Sequence, residues 1–225
     1  MNNPIIIALD VETASEAHAI VNALGDSVDF YKVGLELYAS AGMEFVRSLL
    51  KQNKRVFLDL KLHDIGETVR RAVVQIAKVG VTFLTVHATP TVMKAAVAGR
   101  GGSALQLLAV TVLTDVSESD LAAMGVSGTV RDTVLARARS AKECGVDGIV
   151  SSALEVSAIR ELVGPGIVLV TPGVRSAGAD KGDQKRVATP SEAMRAGSTY
   201  LVIGRQVTRA ADPRAEVQRI LQEIS

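Results

Sequence analysis

Tryptophan is missing from this chain, and aromatic residues make up only 3% of it. A core must therefore come from Val, Ile, Leu and Ala, and a hydrophobic fraction of 48% is enough for one. The single cysteine, Cys144, excludes an intramolecular disulfide and fits a reducing compartment; alone, it reads as a small buried hydrophobe. Neither sign of charge is in excess: 25 basic residues face 24 acidic ones, for a net charge of +1. That balance argues against a nucleic-acid surface, which needs a basic patch. No run of 18 apolar residues suggests a membrane span, and Ile5 is not preceded by the basic segment of a secretory signal. The expectation is a soluble, cytoplasmic protein. No linker rich in Pro, Gly or Ser divides the 225 residues, so a single domain over 1–225 is expected.

Short β-rich runs alternate with helical patterns along the whole chain. Strands are expected near residues 4–10, 29–33, 55–61, 83–88, 106–113, 147–151, 167–171 and 199–203. Most are continuously apolar, as parallel strands covered by helices are. The helices between them carry start and stop signals. Thr13 and Glu16 form a capping box ahead of Ala17, Ile20, Val21 and Leu24, and Gly25 ends that helix. Val69, Ala72, Val73, Ile76 and Ala77 make one apolar stripe, and Asp212-Pro213 opens the last helix. Eight such units predict an α/β fold, a (β/α)8 TIM barrel. The rival, an open doubly wound sheet, lacks its usual Gly-rich turn after the first strand.

In such a barrel, chemistry collects at the C-terminal ends of the strands. Val56-Phe57-Leu58-Asp59-Leu60-Lys61-Leu62-His63-Asp64 is the most informative stretch. Strand alternation puts Asp59 and Lys61 on one side and Val56, Leu58, Leu60 and Leu62 on the other. Asp10 ends the first strand, Lys32 the second, and Thr114 follows the fifth. Taken singly, Asp10 reads as a helix cap, Lys32 as a surface residue and His87 as structural. Two acids and two lysines at one rim are hard to explain in that way. Thr171-Pro172-Gly173-Val174-Arg175 and Ile203-Gly204-Arg205 end the last two strands, where barrels commonly bind phosphate. The stretch from Pro172 to Pro190 is long for a connection and reads as a flap over an anion, with Arg175 and Gln184 as contacts. Lys181, Lys185 and Arg186 read as its solvated charges.

With these pieces in this order, the whole chain resembles the orotidine 5′-monophosphate decarboxylase family. Ala8-Leu9-Asp10, Tyr31-Lys32-Val33-Gly34, Asp59 to Ile65, Gly182-Asp183-Gln184 and the two terminal loops carry the likeness. The resemblance implies a barrel, and a homodimer with shared active sites. It also implies conversion of orotidine 5′-monophosphate to UMP and CO2, the last step of de novo UMP synthesis, without metal or organic cofactor. By position, Lys32, Asp59, Lys61 and Asp64 would be the charged catalytic tetrad, with Asp64 and Thr68 serving the partner's site. Asp10 and Lys32 would meet the ribose hydroxyls, Thr114 the pyrimidine edge and Pro172 the pocket wall. Arg175, Gln184, Gly204 and Arg205 would hold the phosphate. The chain departs from the family pattern at Gly66 and Gln206, both usually proline, and at Glu67, commonly asparagine.

Two other readings compete. Mg2+-dependent sugar-phosphate decarboxylases or aldolases on the same barrel also carry Asp-x-Lys-x-x-Asp, but they place an acid where this chain has Lys32, which repels the ion. A phosphate-binding barrel without activity would have no need of four alternating charges.

Overall fold

The computed structural model describes residues 3–177 and 188–225. Eight strands close into a barrel in sequence order: β1 (Ile5–Ala8), β2 (Phe30–Gly34), β3 (Arg55–Leu62), β4 (Phe83–His87), β5 (Gln106–Val110), β6 (Gly148–Val150), β7 (Val168–Pro172) and β8 (Tyr200–Ile203). Every pairing is parallel, and β1 closes on β8 through Ile5 opposite Leu201 and Ile7 opposite Ile203. The strands lie where the sequence places them, although several are shorter. Leu9-Asp10 and Thr111 to Thr114 leave the ladder and form the rim instead.

The helices are α1 (Ala14–Leu24), α2 (Leu35–Lys51), α3 (Gly66–Ala77), α4 (Pro90–Arg100), α5 (Glu118–Ala123), α6 (Val130–Cys144), α7 (Val156–Val163), α8 (Pro190–Arg195), α9 (Arg205–Thr208) and α10 (Pro213–Glu223). Local chemistry sets their ends. Thr13 and Glu16 make the reciprocal cap of α1, and Gly25 ends it at a positive φ of 54° that a side chain would resist. Asp212 accepts from the amides of Arg214 and Ala215 to start α10. No helix among the described residues is long and apolar enough to cross a membrane.

Strand parity divides the core in two. Ile5, Ile7, Val56, Leu58, Leu84 and Leu107 point outward and pack under the helices with Val21, Val73 and Ile159. Ile6, Ala8, Phe30, Phe57, Phe83, Leu108, Val170 and Val202 fill the barrel, with Tyr200 beside them. Three of the four phenylalanines are in that inner set. Phe30, Phe83 and Tyr200 pack edge or tilted at 5.1–5.6 Å between centroids. Scarce aromatics are thus spent on the barrel's floor, leaving the upper layer to polar residues. Cys144 is half-buried against the outer core rather than enclosed in it.

Helices α3 and α4 pack closely, and Gly99 makes this possible. A Cβ there would run into the carbonyl oxygen of Arg70 and meet the Val73 Cβ at 3.1 Å. Gly99→Ala should therefore destabilise the protein by about 1–3 kcal/mol through overpacking, lowering Tm by roughly 3–8 °C in a calorimetric scan. A melting point equal to wild type would show that the two helices have slack.

Candidate active site

A cavity of about 370 Å3 opens at the C-terminal end of the barrel. Ala8, Phe57, Val110, Val150 and Val202 form its apolar base; Asp10, Lys32, Asp59 and Lys61 stand on one wall. Thr114, Pro172, Gly173, Arg175, Gly204 and Arg205 line it further round. These residues come from seven of the eight strand ends, and the fold, not the sequence distance, brings them together.

The charges alternate in space as well as in type. Lys32 Nζ donates to Asp10 Oδ1 at 2.7 Å and lies 3.8 Å from Asp59 Oδ2. Lys61 Nζ donates to the same Asp59 oxygen at 2.8 Å. The Lys32 and Asp59 side chains are only 11% and 12% exposed, whereas that of Asp10 is 58% exposed. Ionised groups this far from water need opposite charges beside them, and each has one. Gly34 shares the inward face of β2 with Lys32. A Cβ on it would lie 3.0 Å from Lys32 Nζ and 3.3 Å from Asp10 Oδ1, so glycine leaves room for the ion pair.

The strand carrying Asp59 and Lys61 is not regular, as simple alternation would have it. Leu58 pairs with Leu84 and Leu62 with Val86, so three residues of β3 face the single residue Thr85 of β4. Lys61 takes up the excess with φ at 48°, a left-handed conformation that costs a side-chain-bearing residue roughly 1–2 kcal/mol. Both side chains nevertheless line the cavity, while Leu60 and Leu62 remain against the outer core. Thr85, fully buried, holds this bulge together. Its Oγ1 accepts the Lys61 N–H at 2.9 Å and donates to Asp59 Oδ1 at 2.8 Å. Sequence reasoning passed over Thr85, although its parity with Phe83 and His87 marks it as the one hydroxyl facing inward from β4.

Other expected residues lie apart. Asp64 is exposed, with its Oδ1 accepting the Ile65 N–H at 2.6 Å, and Thr68 is exposed on α3. Neither lines the cavity of its own chain. Glu67 pairs with Arg70 on the surface at 2.7 Å. The His63 and His87 rings meet at a tilt of 42°, with 4.9 Å between centroids. Burial, with His63, Arg137 and Lys61 nearby, pushes the His87 imidazole below its usual range, so it is neutral near pH 7. Gln184, Lys181, Lys185 and Arg186 lie outside the described residues. The ends of that loop are held: Val174 bridges to Ala188, and the Arg175 N–H donates to the Ala188 carbonyl at 3.0 Å. Thr208 and Arg209, not anticipated from the sequence, also line the cavity.

An all-parallel eight-stranded barrel with a charged cavity at the strand C-termini defines a (β/α)8 enzyme architecture. Residues 3–220 match the family model described as orotidine 5′-phosphate decarboxylase / HUMPS family. The orotidine 5′-phosphate decarboxylase of Rhodopseudomonas palustris (strain BisA53) is 53% identical over 220 residues, covering 98% of this chain and 94% of that protein. That of Methylobacterium nodulans is 50% identical over 224 residues, covering 98% and 95%. A crystal structure of orotidine 5′-phosphate decarboxylase from Lactobacillus acidophilus superposes with a TM-score of 0.88 at 38% identity, with full coverage of both chains. The chain belongs to the orotidine 5′-phosphate decarboxylase / HUMPS family and is an enzyme.

Thr85→Val removes a buried hydroxyl and strands both its partners. Stability should fall by about 1–3 kcal/mol in urea unfolding, and Thr85→Ser should restore most of it. Equal stability of the valine variant would mean that the bulge stands without the hydroxyl.

Proposed function

We propose that this enzyme decarboxylates orotidine 5′-monophosphate to UMP, the last step of de novo pyrimidine synthesis, in the cytoplasm and without metal or organic cofactor. The observation that carries this reading is the Lys61 ammonium, fixed 2.8 Å from Asp59 on the wall of a cavity of about 370 Å3 with an apolar base. The bond from C6 to the carboxylate breaks, CO2 leaves, and the electron pair stays on C6 in an orbital that the ring cannot delocalise. Lys61 faces that developing charge and then passes its proton to C6, regaining one from water afterwards. At ~4 Å and an effective dielectric of ~20, one ammonium contributes about 4 kcal/mol. The largest enzymatic barrier reductions reach about 23 kcal/mol, so preorganised charge and remote binding supply the remainder.

Asp59 balances the charge of both lysines and holds Lys61 in line. Asp10 and Lys32 bind the ribose hydroxyls, Thr114 the pyrimidine edge, and Pro172 closes the wall. Arg175, Gln184, Gly204 and Arg205 hold the phosphate; the two arginines supply the forked donors that suit it. Asp64 and Thr68 act in the neighbouring site of a homodimer. This assignment draws support from Ile65, which is 77% exposed beside Asp64, and from Leu35, 59% exposed on the same end of the barrel. Such apolar surface calls for cover. A metal-dependent reaction on this barrel is disfavoured by Lys32, whose ammonium occupies the rim where an acidic ligand would be needed.

The test is an ultraviolet assay of orotidine 5′-monophosphate with EDTA present and no added metal; unchanged absorbance with wild-type enzyme would refute the assignment. Lys61→Ala should reduce kcat by at least roughly 10,000-fold, because it removes both charge and proton donor. Arg205→Ala should mainly raise KM, by about 100-fold for a charge-assisted phosphate contact. Thr85→Val should lower kcat about 10–100-fold by misplacing Lys61, with KM little altered.

A further inference from the structure

Gln206 directly follows Arg205, at a position where the family resemblance leads one to expect proline. Its side-chain amide is fully engaged. Oε1 accepts the backbone N–H of Ser176 at 3.1 Å, while Nε2 donates to Ser176 Oγ at 2.9 Å and to Glu216 Oε1 at 2.8 Å. The Ser176 hydroxyl in turn donates to Glu223 Oε2 at 2.6 Å. Glu216 and Glu223 both lie on α10, where Arg219 pairs with each of them, at 2.6 and 3.8 Å. Ser176 is only 3% exposed and immediately follows Arg175.

The residues that follow the two cavity arginines are thus tied to each other and to a helix outside the barrel. Neither Gln206, Ser176, Glu216 nor Glu223 lines the cavity, so none of them is placed to touch a substrate. A proline at 206 would fix its own φ but could make none of these bonds. A short, partly buried network anchored on the buried Ser176 restrains its members mutually, and it transmits the position of one loop to the other.

We propose that Gln206 is a positioning residue for phosphate recognition. Its amide sets the spacing between Arg175 and Arg205 by clasping the β7 and β8 loops onto α10. This deepens the functional reading above and rests on it. The clasp acts on the phosphate end of the ligand alone; the base and the ribose are held by other strands.

The experiment compares UMP with uridine, which lacks the phosphate, by titration calorimetry on wild type, Gln206→Leu, Glu216→Ala and the double variant. Gln206→Leu should weaken UMP binding by about 10-fold, the scale of one or two lost hydrogen bonds, while uridine affinity stays within about twofold. Glu216→Ala should lose less, and the double variant no more than Gln206→Leu, because both cut one network. Amide exchange across residues 173–177, measured without ligand by mass spectrometry, should be at least about 10-fold faster in Gln206→Leu. Unchanged UMP affinity, or an equal loss for UMP and uridine, would overturn the proposal; so would unchanged exchange. Wild-type failure to decarboxylate orotidine 5′-monophosphate would instead count against the functional reading, leaving the UMP-to-uridine ratio and the exchange rates to judge the clasp.

Discussion

The carboxylate of Asp59 is the constraint on which this site depends. One oxygen accepts the Lys61 ammonium at 2.8 Å with Lys32 at 3.8 Å, and the other accepts the Thr85 hydroxyl at 2.8 Å. Remove that negative charge and two ammonium groups would be left close together at the mouth of a largely apolar barrel, each repelling the other. The carboxylate's place is fixed in turn by β4, through a hydroxyl that also satisfies the amide left over by the bulge in β3. Backbone irregularity, hydrogen bonding and charge order are therefore one arrangement. The left-handed Lys61 is held in a conformation its side chain disfavours because its neighbours fix both ends of the residue.

Beneath this layer the barrel is filled by a compact set of rings and aliphatic side chains, and the two parts divide the labour. Phe30, Phe83 and Tyr200 close the lower barrel largely by apolar contact, and the Arg55 guanidinium, paired with Asp29 at 2.9 Å, caps that layer 4.4 Å over the Phe30 ring. The polar groups of the cavity wall stand at the other end, at Lys32, Asp59 and Thr85, where the strands end and donors and acceptors are within reach. The helical ring supplies stability from outside through a separate apolar layer.

Most of this architecture was legible in the sequence. Continuous apolar runs separated by capped helices point to parallel strands, and the caps at Thr13 and Asp212 are local signals that the structure keeps. The rim location of Asp10, Lys32, Asp59 and Lys61 follows from strand ends alone. What could not be read is register. Alternation assumes that neighbouring strands advance together, and nothing within β3 announces that three of its residues face one of β4. Thr85 escaped notice, and Gly34 entered only as part of a motif, for a related reason: their roles depend on side chains that neighbouring strands bring beside them. Gly99 looks like a weak point inside a helix until α3 is seen against it. Gln206 registered only as a missing proline; its partners are contributed by a loop and a helix remote in sequence.

The short bridge between Val174 and Ala188 has an evolutionary consequence. By joining the two ends of the connection after β7, it separates the length of that segment from the place where Arg175 emerges. Loop-closure entropy grows only logarithmically, by about 0.6 kcal/mol for each doubling of length. Insertions and deletions beyond the bridge are therefore cheap in folding terms, and descendants of this gene are free to vary the segment without redesigning the barrel beneath it.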